Sequence, residues 1–326
     1  MRHTASEKLE ALRIVEESDV SVRRTLEELG LPRSTFYDWY ERYREGGLEA
    51  LEDRELGNKR PWHRIPESVR AEIVKLALEE THMSPRELAC TYTDPKRYFV
   101  SESSVYRILK GHDLITSPAY VLLKAADKFQ HPTHQVHELW QTDFTYFRIV
   151  GWGWYYLSTI LDDYSRYIVS WQVSPTMGAE DVTQTLDKAL EASGLDTARV
   201  RHRPRLLSDN GPAYLSGDLR EYLEAKGMTH TRGAPYHPMT QGKIERWHRS
   251  MKNVVKLNNY YAPGELKEAI GAFVEYYNNH RFHESLDNVT PADVYFGRRL
   301  AILSERDTIK AETMELRRRN NAALAA

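Results

Sequence analysis

The sequence predicts an α/β domain built on a mixed β-sheet and preceded by two all-α units of helix-turn-helix outline. Three observations carry this reading. Up to about residue 115, apolar residues recur at helical spacing and are broken by glycines and serine-led turns. From residue 137 the pattern turns stranded, with three short runs of aromatic and β-branched residues in succession. After residue 178, helical and stranded segments alternate, which indicates a sheet with covered faces. A chain of 326 residues also exceeds the usual single domain.

In the first unit, residues 1–53, "SEKLEALRIVEES" places Leu9, Leu12 and Val15 on one face. "SVRRTLEELG" breaks at Gly30, and "LPRSTFYDWYERYREGG" resumes a helix until its paired glycines. Phe36, Trp39, Tyr40 and Tyr43 are expected inside. Arg33, Ser34, Thr35 and Tyr37 then lie at the leading end of the second helix, where base edges are read. An ordinary helical bundle fits this segment equally well. Residues 54–66 are polar, end in proline and read as a linker. The second unit, residues 67–115, repeats the arrangement. "PESVRAEIVKLALEE" is amphipathic through Val69, Ile73, Leu76 and Leu78, "SPRELACTY" is a serine-capped helix, and Ser101 or Ser103 caps a third. Ser103, Ser104 and Arg107 are its expected DNA contacts. Two such units favour double-stranded DNA as partner, because tandem modules engage a long site with combined affinity.

Residues 116–136 read as a second linker, and His131, His134 and His137 near its end invite a metal reading. Structural zinc wants four ligands, often thiolates, and none lies nearby, so a solvated linker is preferred. The core domain, residues 137–300, begins with the strands "HELWQTDFTYFRIV", "YYLSTILDDYS" and "RYIVSWQVS". A helix carrying Val182, Leu186 and Leu190 follows, then a strand around "RPRLLSD". "LLSDNGPAY" could be a hairpin turn, but Pro212 and the apolar spacing of Leu215, Leu219 and Leu223 indicate a helix after it. A strand leading through a tight loop into a helix places Asp209 where α/β proteins bind ligands. "MTHTRGAP" supplies a fifth, short strand, and a long helix is expected from about Thr240.

Three carboxylates stand out. Asp143 interrupts an apolar strand, where an unpaired charge is costly. Asp209 ends the fourth strand, and Glu245 lies on the long helix. There Ile244, Trp247, Met251 and Val254 are expected to face the sheet, beside a stripe of Gln241, Glu245, Arg249 and Lys252. Taken singly, Asp143 could face outward at an edge and Glu245 could pair with Arg249. Brought together, such acids repel one another unless cations neutralise them. Mg²⁺, a hard ion preferring oxygen ligands, is the natural cofactor. Two such ions about 4 Å apart serve in-line displacement at phosphorus. Lysines and arginines nearby would hold the DNA backbone.

"WQTDFTYF", "LLSDNGPAY" and "APYHPMTQGKIERWHRS" resemble the catalytic motifs of bacterial insertion-sequence DDE transposases with a retroviral-integrase-type core. Thirty-five residues separate Asp209 from Glu245, the spacing for which that family is named. "LDDYSRYIVSW" and "YYNNHRFHESLDNVTPADVYFG" also look like the family. The resemblance implies an RNase H-like core, a five-stranded mixed sheet flanked by helices. It implies a metal-binding triad of Asp143, Asp209 and Glu245 using two Mg²⁺ ions, with Mn²⁺ a possible substitute. The activity implied is cleavage at transposon ends and transfer of the 3′-hydroxyl ends into target DNA. Asn210, His237, Gln241, Lys243, Arg246, Arg249 and Lys252 are the expected DNA contacts of this region. Pairing two ends implies self-association into a dimer or higher oligomer. A regulator with an inactive integrase-like scaffold and a nuclease that cuts without joining are the rival readings.

A formal net charge of −2 excludes a uniformly basic nucleic-acid coat but not a basic face. No apolar run is long enough to span a bilayer, and the first ten residues lack a signal peptide's apolar core, so no membrane partner is expected. Nor is a small-molecule substrate. The single cysteine, Cys90, reads as a buried, inert thiol and fits a reducing bacterial cytoplasm, with the protein on the nucleoid. The charged tail, residues 301–326, reads as a solvated, partly disordered helical end.

Overall fold

The computed structural model describes residues 4–18, 21–52, 62–112, 114–115, 133–196, 202–233 and 242–325. Two compact units result, Met1–Arg64 and Ile65–Ala326. No described helix is long and apolar enough to cross a membrane.

The first unit holds α1 (Ala5–Glu17), α2 (Val22–Glu28) and α3 (Arg33–Ala50). Thr4 and Glu7 close a capping box at the start of α1. Gly30, at φ +65°, makes the turn between α2 and α3, a backbone shape that favours glycine. Helical geometry in α3 breaks at Gly46 and Gly47, as the paired glycines predict. Leu12, Val15, Leu26, Phe36, Trp39 and Leu51 form the core, with Leu9, Tyr40 and Tyr43 packed on it. Arg33, Ser34 and Tyr37 are exposed and Thr35 is half-buried, so the leading end of α3 is free to meet a partner.

The second unit opens with α4 (Glu67–Glu79), α5 (Pro85–Lys96) and α6 (Glu102–Gly111) around Ile73, Leu88, Tyr92, Val100, Val105 and Ile108. Leu78, expected inside, is 58% exposed because the buried stripe of α4 runs through Val69, Ile73, Leu76 and Ala77. Ser101 caps α6 by accepting from Ser104 N. Cys90 is half-buried, and burial pushes its thiol pKa up.

The sheet comprises β1 (Leu139–Ile149), β2 (Gly153–Asp162), β3 (Ile168–Ser174), β4 (Arg205–Ser208) and β5 (His230–Arg232). Its order is β3-β2-β1-β4-β5; β1, β2 and β3 form an antiparallel meander, and β4 and β5 run parallel to β1 and to each other. This is the five-stranded mixed sheet expected of an RNase H-like core. One face packs Trp140, Ile160 and Leu206 against α7 (Ala179–Ala192), α8 (Pro212–Leu215) and α9 (Gly217–Ala225). The other packs Phe147, Ile149, Leu157 and Leu161 against α10 (Gly242–Val255) and α11 (Pro263–Asn279). The single helix expected after Asp209 is two: Ser216 stops α8 and caps α9 by accepting from Leu219 N at 3.1 Å, leaving Leu215 exposed. Likewise α10 buries Val255 and exposes Val254, because its inward stripe runs Ile244, Trp247, His248, Met251, Val255.

After α12 (Pro291–Tyr295), the tail is the continuous helix α13 (Arg299–Ala325), not a loosely solvated end. Arg306 donates both guanidinium arms to Asp94, at 2.8 and 2.6 Å, and Thr313 accepts from Phe99 N at 2.9 Å. Arg317 reaches Tyr98 and the Phe99 carbonyl. Ile309, Thr313 and Arg317 are thereby buried, clasping the turn between α5 and α6.

His137 belongs to this folded unit too: its ring packs on Trp140 and Tyr295, and its backbone N–H donates to Asp162 at 2.8 Å. His134 donates its backbone N–H to Glu138, and His131 lies outside the described residues. His283 is half-buried against Tyr277 with its Nε2 enclosed, and burial with Arg281 and Arg166 nearby lowers its pKa to about 3. A histidine depressed below its unfolded value binds a proton only on unfolding, so stability falls as pH drops from 6.5 towards that value. The unit should therefore lose about 2 kcal/mol between pH 7 and pH 5 through this residue alone. Urea titrations at both pH values check it, and a His283→Gln variant should show the shallower dependence.

Candidate active site

The site follows from a mismatch in strand length. β1 has eleven residues, but β4 pairs only with Leu139, Trp140 and Gln141. From Thr142 onward that edge of β1 has no β4 partner, and Asp143 sits just past the point where pairing stops. Asp209 is the first residue after β4. Strand ends of an α/β sheet are where a bound group meets the fewest competing backbone atoms. Both aspartates line one cleft of about 540 Å³.

Asp209 is held by its own turn. Its Oδ1 accepts from Gly211 N at 2.9 Å, and a Cβ on Gly211 would lie 3.0 Å from that oxygen. Glycine thus lets the loop close on the carboxylate. Asn210 donates its side-chain amide to the Gly233 carbonyl at 2.9 Å, tying the loop to the end of β5. Asp143 Oδ1 accepts from Phe144 N, and its Oδ2 lies 3.3 Å from His248 Nδ1. Beneath both acids, burial raises the Tyr214 hydroxyl pKa well above the usual phenol value, reinforced by the two carboxylates.

Glu245 stands in the first turn of α10, exposed, with no ion-pair or hydrogen-bond partner among the described residues. It lines a second cleft of about 640 Å³ with Asp143, His248, Arg249, Lys252 and Lys256. Asp143 is thus common to both clefts, with Asp209 on one side and Glu245 on the other. Among the described residues, no three His, Cys, Asp or Glu side chains converge closely enough to hold one ion. The second cleft is cationic. Lys252 has a pKa lowered by burial and by Lys256, against the pull of Asp143.

The expected DNA contacts separate. Arg249 and Lys252 face the second cleft; Arg246 is exposed but lines neither. His237 and Gln241 lie outside the described residues. Lys243 is engaged within the protein: its ammonium bonds the Asp163 carboxylate at 2.7 Å and the Asp163 carbonyl at 2.8 Å, with the side chain only 11% exposed. Asp163 Oδ1 also accepts from Gln141 Nε2, while Gln141 Oε1 accepts from Ile244 N. This network anchors the start of α10 to β1 and β2. Arg107 folds back onto Ser103 and Ser104 of its own helix. His248, which the motifs did not single out, is buried beside Asp143 with Nε2 unbonded. Its signal was available: it lies three residues after Glu245, one turn along the same helix.

Comparisons with known proteins agree with this architecture. Two family models described as "Integrase core domain" match residues 133–238 and 226–291. Two described as "Homeodomain-like domain" match residues 2–52 and 35–109. The transposase for insertion sequence element IS629 of Shigella sonnei is 28% identical over 57% of this chain and 62% of its own length. The chain thus spans less than two thirds of that relative. An uncharacterized 31 kDa protein of insertion element IS600, also of Shigella sonnei, is 24% identical over 81% of this chain and 94% of its own. Among solved structures, the HTLV-2 integrase catalytic core domain in complex with magnesium is 20% identical over 49% of this chain and 97% of its own, at a TM-score of 0.39.

Proposed function

We propose that this chain, related to insertion-sequence transposases through its integrase core and homeodomain-like domains, is itself a transposase. It would bind the terminal repeats of its element, cleave there and join the freed 3′-hydroxyl ends to target DNA. The observation that carries this reading is Asp143, at an open strand edge with Asp209 in one adjoining cleft and Glu245 in the other.

The donor set suits a hard divalent cation, three carboxylates being the oxygen ligands Mg²⁺ prefers. When bound, the ions would activate the attacking oxygen and stabilise the leaving one. The chain's own residues do the rest. Gly211 fixes the Asp209 carboxylate, and the Gln141–Asp163–Lys243 network fixes the turn that carries Glu245. Arg249, Lys252 and Lys256 offer phosphate contacts beside the acids. The leading end of α3, with Arg33, Ser34, Thr35 and Tyr37, would read base edges, and Ser103, Ser104 and Arg107 on α6 would do so in the second module. Joining two ends calls for at least two copies of the chain.

Incubation with duplexes carrying the flanking inverted repeats and Mg²⁺ tests the proposal. Joined products are expected, and EDTA should remove them. Cut-only products would make it a nuclease, and binding without cleavage a regulator.

A further inference from the structure

The first cleft has a feature that the acid chemistry does not use. Its wall away from Asp143 and Asp209 is formed by Tyr146, Trp154, Tyr156 and Met177. Tyr146 and Trp154 are each 52% exposed, and their rings meet edge to face with centroids 5.4 Å apart. Large aromatic surface left open beside charged groups points to a partner that covers it. The register explains the placement: Tyr146 lies opposite Tyr156 across β1 and β2, and Trp154, opposite Arg148, lies on the diagonal from Tyr146. Tyr146 lies beyond Gln141, the last β1 residue paired with β4, and the two β2 rings lie across β1 from that open edge.

Lys252 and Lys256, which line the second cleft, bring two cations to the Tyr146 edge of this wall. The ammonium groups of Lys252 and Lys256 lie 5.0 and 5.9 Å from the centre of the Tyr146 ring. A ring face next to a lysine pair suits a group that is flat and aromatic at one end and anionic at the other. A nucleotide has that shape. In a duplex the ring faces are hidden by stacking, so only a base outside the helix can lie against Tyr146 or Trp154. A cleft of about 540 Å³ has room for a nucleoside, not for a duplex.

We propose that the Tyr146–Trp154 wall is a stacking site for one unpaired base of a DNA strand, whose phosphate is held by Lys252 and Lys256. This rests on the reading of the chain as a DNA-processing enzyme, and it adds a requirement: DNA must present an unstacked nucleotide next to Asp143 and Asp209.

The probe is a twelve-residue oligothymidylate, compared with the same strand made abasic at its central positions, binding to the full chain by fluorescence anisotropy. Trp154→Ala should weaken oligothymidylate binding about tenfold, at the level of one stacked base, and leave the abasic strand unchanged. Trp154→Phe should restore most of the loss. Because Trp154 is half exposed, its truncation removes little core packing, and an unchanged melting curve confirms the fold is kept. Photocrosslinking with 5-iodouracil in the central position should place the adduct on Tyr146 or Trp154. Equal affinity of Trp154→Ala and the parent for oligothymidylate, or adducts only elsewhere, overturns the proposal. Asp143→Asn keeps the two ideas apart. Mg²⁺-dependent joining that survives it sinks the transposase reading, whereas a Trp154 effect that is absent while joining still needs Asp143 sinks only the stacking site.

Discussion

Glu245→Gln is expected to lower Mg²⁺-dependent joining by about 10²–10³-fold or more, the range seen when one group stabilising developing charge is removed. The same change should leave the fold almost untouched. Glu245 is exposed and has no ion-pair or hydrogen-bond partner among the described residues, so an isosteric amide there should stay within about 0.5 kcal/mol of the parent. DNA affinity should hold or rise, because one negative charge leaves a cleft containing Arg249, Lys252 and Lys256. That combination separates chemistry from scaffold. A surface glutamate serving only helix stability predicts the reverse, a small stability change with joining intact. Joining measured on pre-cut ends, beside binding and a urea titration, decides it. Joining at the parent's rate would remove Glu245 from the site. Asp143→Asn should be equally inactive, but it is a less clean test, since Asp143 touches His248 and its loss rearranges a buried histidine.

Much of this was legible in the sequence because it depends on local patterns. The strand carrying Asp143 could be read from its aromatic and β-branched residues, and Asp209 from the proline and helix that follow it. The stripe on α10 could be read to within a residue, and failed at Val254 because a helix of 3.6 residues per turn drifts, so Val255 takes the fourth inward place. What escaped depends on distant partners. Lys243 was read as a DNA contact because it falls in the motif that carries Glu245; its partner Asp163 lies 80 residues earlier. The tail looked solvated for the same reason: Arg306 meets Asp94, 212 residues away. That Glu245 shares a cleft with Asp143 but not with Asp209 is likewise a long-range matter. The helix bearing it starts at Gly242, and the segment joining it to β5 lies mostly outside the described residues.

Lys243→Met should destabilise the Ile65–Ala326 unit by about 3–5 kcal/mol, the cost of breaking a buried ion pair from one side. The side chains of Lys243 and Asp163 are 11% and 6% exposed, so neither can turn to water without moving the chain. Removing the lysine leaves Asp163 charged and buried, with hydrogen bonds from Gln141 and Thr133 but without the cation. Adding Asp163→Asn should return a large part of the loss, because the charge that lacked a partner is then gone. Had Lys243 served the DNA backbone, the outcome would differ in kind: unchanged stability, weaker binding and a shallower salt dependence. Urea unfolding of the single and double variants, with DNA affinity measured across salt, distinguishes the two, and a single variant within 1 kcal/mol of the parent would return Lys243 to the DNA-contacting set. The effect should reach activity as well. Gln141 bonds both Asp163 and the Ile244 N–H, so loosening the pair frees the first turn of α10, and joining should fall even at temperatures where the variant stays folded.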